Sequence, residues 1–208
     1  MNFEIAKCAG CIISHEHGDH SKAVGNVLKH RIPVYASAGT LQALNVDGEP
    51  MAHAMRELQM YRIGGFDVMP FGVQHDASEP FGYIIRHAEC GTILFATDTY
   101  YLKYTFPGIN HWMIECNYKQ EIIDRNVESG VISEVRRKRT IQSHLSLETL
   151  LDVFNANDMN DTRNILLIHL SPENGDAQDF QQAVRDATGA NVQVAQPETT
   201  ININLQPF

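Results

Sequence analysis

Positive charge is scarce in this sequence: 16 lysines and arginines stand against 25 aspartates and glutamates, for a formal net charge of −9. A broad, non-specific nucleic-acid coat is basic, so that class is disfavoured. A nucleic-acid site charged by metal ions is not excluded, because two divalent cations add about four positive charges where they bind. Cysteine is sparse too, with four in 208 residues, which is no disulfide framework. Cys8 and Cys11 form a lone Cys-x-x-Cys with no second pair, and all four cysteines are read as small core residues rather than a zinc knuckle. Apolar runs never approach the roughly 18 to 20 residues of a membrane span. A basic stretch followed by an apolar one, the mark of a secretory leader, is missing from the start. These absences together lead us to expect a cytoplasmic protein that does not enter a membrane. Repeats, low-complexity tracts and Gly/Ser linkers are lacking as well, so a single domain spanning residues 1–208 is expected.

Histidine, by contrast, is plentiful, with ten residues, and three of them crowd into Ser14-His15-Glu16-His17-Gly18-Asp19-His20. His15 and His17 stand two apart and project the same way from extended backbone. Gly18 relaxes the bend that follows, and Asp19 and His20 then face a second position nearby. Neutral imidazoles with one carboxylate suit Zn²⁺ or Mn²⁺, with Fe²⁺ as the alternative. An apolar strand at 11–14 precedes the cluster and a helix at 21–28 follows it, placing the ligands on a strand-to-helix loop.

Three more ligand-type residues each follow an apolar run: His75 after 66–73, Asp98 after 92–96 and His169 after 165–168. Strand ends are where a sheet delivers side chains to a rim site. His144 precedes a helix opened by Ser146, in which Leu147, Leu150, Leu151 and Phe154 recur at helical spacing. Further strands are read at 33–36, 81–86, 112–115, 192–194 and 201–205, and helices at 37–44, 119–126 and 177–187. Residues 45–62 read as a partly helical lid or surface segment, with His53 a surface or packing residue. The alternation predicts an α/β fold of mixed sheet covered by helices. The basic run Arg136-Arg137-Lys138-Arg139 reads either as a solvated turn or as a phosphate contact.

The pattern His-x-His-x-Asp-His, followed in order by His75, Asp98 and His169, resembles the two-metal phosphoesterase form of the metallo-β-lactamase-fold hydrolases. Segments 71–77, 114–118, 143–146 and 169–174 are similar to those of its YycJ/WalJ-like subgroup of metal-dependent nucleases. The resemblance implies an αββα sandwich lacking its first strands, since family members carry strands before the first motif. It also implies two divalent ions, one held by His15, His17 and His75 and the other by Asp19, His20 and His169, with Asp98 as the bridge. His144 and Asp19 are the implied catalytic pair, His144 protonating the leaving oxygen while a metal-bridging hydroxide attacks. The implied partner is nucleic acid, DNA before RNA, digested as an exonuclease would. A small-molecule phosphodiesterase of the same fold is the alternative, and thioester or lactam hydrolysis or an inactive binding module stand further off. Leu147 and Gly175 depart from the subgroup, which tends to have Asn at both positions.

Overall fold

The computed structural model describes residues 5–205. The chain divides into two compact units, one of residues up to 72 with 76–87, the other of residues 73–75 with those from 88 onward. Among the described residues no helix is long and apolar enough to cross a membrane.

The first unit opens with a single 3-10 turn, Ile5–Lys7, and then builds a three-stranded parallel sheet in the order β1 (Cys11–Ile12), β2 (Val34–Ser37), β3 (Ala52–Met55). Parallel neighbours need a crossover, and helices α1 (Gly18–Ser21), α2 (Val24–Lys29) and α3 (Ala38–Ala43) supply it. Ile13, Val34, Ala36 and Leu41 form the core of this sheet, with Val24, Val27 and Leu28 of α2 packed on it. Ser37 caps α3 as its position implies, its hydroxyl accepting from Thr40 N–H at 3.0 Å. An antiparallel set completes the unit: β4 (Tyr61–Ile63), β5 (Phe66–Gly72) and β6 (Phe81–His87). Phe71 faces Gly82 across β5 and β6, and a Cβ at Gly82 would overlap its ring.

Two readings of this unit need correction. The helix expected at 21–28 is two helices, α1 and α2, so Asp19 and His20 sit inside a helical turn and not on open loop. The break follows Ser21, whose hydroxyl turns back to donate to the carbonyls of Glu16 and His17 at 2.8 and 2.9 Å. Within 45–62, expected to be partly helical, the regular structure is strand: β3 pairs in parallel with β2 from Ala52 to Met55, β4 begins at Tyr61 and pairs with β5, and turns fill much of the remainder. Its periodicity is uninformative because pairing, more than pattern, makes these short strands. His53 is exposed on β3, the surface role expected of it.

The second unit is a parallel sheet of β7 (Gly91–Ala96), β8 (His111–Glu115), β9 (Asn164–Ile168) and β10 (Asn191–Val194), in that order. Its helices are α4 (Gln120–Glu128), α5 (Glu134–Ser143), α6 (Leu147–Asn155) and α7 (Ala177–Thr188). Strands such as Asn164–Ile168 are nearly continuous apolar runs, as parallel strands covered on both faces require. Trp112 packs edge-on against Phe154 of α6 and Phe106, and Phe180 and Val184 bury the inner face of α7. Among the cysteines, Cys90 and Cys116 are buried while Cys8 and Cys11 are half-buried; Cys11 packs against the first unit's core. Burial pushes the Cys116 thiol well above its ordinary range.

The basic run is not a turn. It lies within α5, whose first turn is capped by Ser133 accepting from Arg136 N–H at 3.2 Å. Arg137 is bound to Asp124 of α4 at 2.6 Å and to Glu134 at 3.2 Å. Residues 201–205, expected as a closing strand, form none among the described residues. Their alternation of Ile and Asn imitates a strand, but the segment is held by isolated contacts. Asn164 Nδ2 donates to Asn202 O at 3.3 Å, and Leu205 N–H to Glu89 O at 2.8 Å.

Candidate metal and catalytic centre

In the first unit the ligand cluster is fixed from behind by β6. Tyr83 O–H donates to the Ile13 carbonyl at 2.6 Å, and Phe81 N–H donates to the Ser14 carbonyl at 2.9 Å. Burial pushes the Tyr83 phenol far up, so it stays a proton donor. The chain therefore arrives at His15 with both preceding carbonyls held. His15 is buried, and the Ser14 hydroxyl lies 3.1 Å from its Nδ1. The His17 and His20 rings pack on the His15 ring, with centroids 4.7 and 4.3 Å away. Asp19 is the exposed member, with an oxygen 3.4 Å from His20 Nε2.

Glu16, between the first two histidines, points elsewhere. Its Oε1 accepts both the N–H and the hydroxyl of Ser78 at 2.7 Å. Burial alone would raise this carboxyl's pKa, but the Ser78 hydrogen bonds outweigh it and the net shift is downward. Glu79 next door is clasped by α3: its carbonyl accepts from Ser37 Oγ at 2.7 Å and its carboxylate from Gly39 N–H at 2.7 Å. This tethers the 76–80 loop that leads into β6.

In the second unit His75, Asp98, His144 and His169 are brought to one place, each from the end of an element. Gln74 N–H donates to Thr99 Oγ1 at 2.9 Å, and Tyr100 N–H to Gln74 O at 3.1 Å, pinning the His75 segment beside Asp98. Asp98 follows β7 with φ +49, and His169 follows β9 with φ +57. Both are in the left-handed region, which Asp and His enter more readily than most residues. His75 Nδ1 meets the Ser143 carbonyl at 3.0 Å. A carbonyl only accepts, so Nδ1 carries the proton and Nε2 offers a lone pair. That Nε2 lies 3.5 Å from Asp98 Oδ2, while Asp98 Oδ1 accepts from Thr97 Oγ1 at 2.7 Å. Two lone-pair atoms aimed at each other across such a gap suit a cation between or beside them.

The residue that organises this unit's cluster is Glu115, at the end of β8 and fully buried. Its Oε2 accepts Thr99 N–H at 3.0 Å and Leu145 N–H at 3.1 Å. Its Oε1 lies 2.8 Å from His144 Nδ1 and 2.7 Å from His169 Nδ1. With each oxygen taken twice, Glu115 ties its neighbours to one another. The acidic partner assigns the Nδ1 protons to both rings, which turns each Nε2 into the reactive nitrogen. Ligand-type atoms of Asp98, Glu115, His144 and His169 all lie within 4.8 Å of one another. The sequence signal for Glu115 is a lone carboxylate after an apolar run within segment 114–118, and by itself it implies no role.

Backbone bonds set the two histidines on either side of this carboxylate. Asn117 N–H donates to Leu145 O at 2.9 Å and Leu147 N–H to Tyr118 O at 2.8 Å; on the other side Cys116 N–H reaches Ile168 O at 3.1 Å. Asn117 Nδ2 also donates to His169 O at 2.7 Å. His144 is the residue that ends α5, two positions before the Ser146 cap of α6. Leu147, the departure from the subgroup, is buried in the first turn of α6.

A fold of parallel and antiparallel sheet with helices, carrying imidazoles and carboxylates at strand ends, is that of the metallo-β-lactamase class, α/β as expected. A β-lactamase superfamily domain profile matches residues 3–170, and the chain belongs to that family. It is 26% identical over 182 residues to a protein named exodeoxyribonuclease YycJ from Bacillus anthracis, covering 80% of this chain and 65% of that one. It is 31% identical over 177 residues to one named exodeoxyribonuclease WalJ from Streptococcus pneumoniae, covering 78% and 64%. The chain thus spans a little under two thirds of the length of these curated relatives. Among solved structures, the metallo-β-lactamase fold protein YhfI from Bacillus subtilis superposes with a TM-score of 0.71 at 15% identity, covering 94% of this chain and 77% of that one.

Proposed function

We propose that this chain is a two-metal phosphodiester hydrolase acting on nucleic acid, and that it works as a DNA exonuclease. The ligands are the seven residues that the family's motif order implies: His15, His17, Asp19, His20, His75, Asp98 and His169. Zn²⁺ and Mn²⁺ match this set of imidazoles and carboxylates, and Fe²⁺ is compatible with it. Two such ions would neutralise the phosphoryl oxygens and acidify the attacking water. The names of the two relatives support DNA as the substrate.

The observation that carries this reading is the sharing of one Glu115 oxygen by His144 and His169. It gives the two rings the same tautomer but leaves them different tasks. His169 presents Nε2 as a ligand atom. His144 lies outside the seven-ligand set, holds a proton at Nε2 when charged, and passes it to the departing oxygen. Glu115 holds the ring in position for that transfer. Asp19, exposed beside His20, serves as ligand and joins His144 in the catalytic pair.

Variants of the two histidines test this assignment. His144→Ala is expected to keep its metal content, read by elemental analysis, and to lose roughly 10²- to 10⁴-fold in kcat on end-labelled DNA. The loss should be smaller on bis-p-nitrophenyl phosphate, whose nitrophenolate departs without a proton. His169→Ala should lose metal and fail on both substrates. Loss of metal from His144→Ala would exchange the two roles, and absence of hydrolysis in the parent protein on either substrate would refute the reading.

A further inference from the structure

A cleft of about 380 Å³ opens in the second unit beside the two histidines, lined by His144, His169, Arg136, Arg139, Thr140 and Asn174 among others. Two arginines and two imidazoles meet on one concave wall of a chain whose net charge is −9, and such a grouping of N–H donors suits an anion. The helix sorts its own basic run to achieve this. Positions 136, 139, 140 and 143 share a face of α5, and His144 continues it as the residue that ends the helix. Arg137 is turned away and neutralised by Asp124 and Glu134. Arg136 meets Glu173 at 2.8 Å, with both side chains about half exposed; a pair so solvated is weakly held, and a phosphate displaces the carboxylate readily.

Arg139 and Arg136 stand five and eight residues before His144, about 7 to 12 Å along the helix axis. A phosphate bound there is not the one being cleaved. We infer that Arg136 and Arg139 form a subsite for a neighbouring, non-reacting phosphate of a single polynucleotide strand, each able to grip it through the paired N–H groups of its guanidinium. The inference rests on the proposed nucleic-acid reading and adds a length requirement to it: the site prefers an oligonucleotide to a phosphodiester carrying one phosphate.

Binding, followed by fluorescence anisotropy of a labelled oligodeoxythymidylate across a salt series, tests this without relying on turnover. Arg136→Gln/Arg139→Gln is expected to weaken binding tenfold or more and to flatten the plot of log K against log salt by about 0.7 for each phosphate no longer neutralised. Lys138→Gln removes one charge of the same run from outside the cleft wall, matching either arginine changed singly, and should leave both nearly unchanged where Arg136→Gln or Arg139→Gln alone does not. An oligomer of the same bases on an uncharged backbone should bind weakly to every variant. Equal weakening by Lys138→Gln, or tight binding of the uncharged oligomer, would overturn the subsite. Hydrolysis of bis-p-nitrophenyl phosphate should survive in the double arginine variant, and its loss there would also count against the subsite. If the parent protein hydrolyses neither substrate, the phosphodiesterase reading fails on its own, while the anisotropy series still decides whether the arginines grip a phosphate chain.

Discussion

At the scale of single residues, the decisive group is Glu115, and it shows what spacing can and cannot reveal. The first motif is legible because His15, His17, Asp19 and His20 are close in sequence, a density that suggests a metal site. Glu115 acquires its role from Thr99, Leu145, His144 and His169, which arrive from three other segments. Nothing local to residue 115 announces their meeting. Glu115→Gln puts an amide N–H₂ where N–H donors already point, leaving at least one of them opposed. The expected result is a 10- to 100-fold loss of metal affinity of the kind seen when a ligand's supporting carboxylate is removed, together with a fall in kcat. Titration with a chromophoric chelator competitor measures the first and DNA hydrolysis the second; unchanged values in both would reduce Glu115 to packing.

At the scale of elements, Tyr83 links the antiparallel strands of the first unit to the strand end that carries the motif. Its buried hydrogen bond to the Ile13 carbonyl means that Tyr83→Phe strands an acceptor, at a cost of about 1 to 3 kcal/mol. Urea unfolding should show the drop in midpoint. The elements that could be read from sequence were those with a long apolar stripe or an explicit cap: α6 with its Ser146, α7, and strands β5 to β9. Those that could not were made by context. β3 exists because β2 offers it an edge. α5 is almost wholly polar, and its helix depends on the Ser133 cap and the Arg137 ion pairs, so a run of like charges is as easily taken for a turn. The tail at 201–205 fails in the opposite direction, having the alternation of a strand without the ladder of one.

For the molecule as a whole, metal and stability are linked. His75 Nε2 and Asp98 Oδ2 stand 3.5 Å apart, and under the proposed two-metal reading an ion bound to the native chain would draw on both. Binding at about 100 times the dissociation constant stabilises a fold by about 2.7 kcal/mol. Thermal melts should accordingly rise with added Zn²⁺ or Mn²⁺ and fall after exhaustive chelation. A melting temperature indifferent to both would argue against resident ions. The fold class was readable from the order of the motifs, because His75, Asp98 and His169 follow strands in the sequence the family uses. The division into two compact units was not, since residues 73–75 and those from 88 onward fall in one and residues 76–87 in the other without any change in composition at those points.

Asp98 and His169 are constrained twice, by the chemistry of their side chains and by the left-handed backbone beneath them. Asparagine and glycine accept that backbone, whereas valine, isoleucine and other bulky residues do not. Chains of this lineage that drift away from catalysis would therefore pass through asparagine or glycine at these two positions long before they reached an apolar residue. An Asn at 98 would keep the backbone and the outline of the side chain and remove only its charge, so the change the backbone accepts most easily is the one that the proposed metal bridge would feel most.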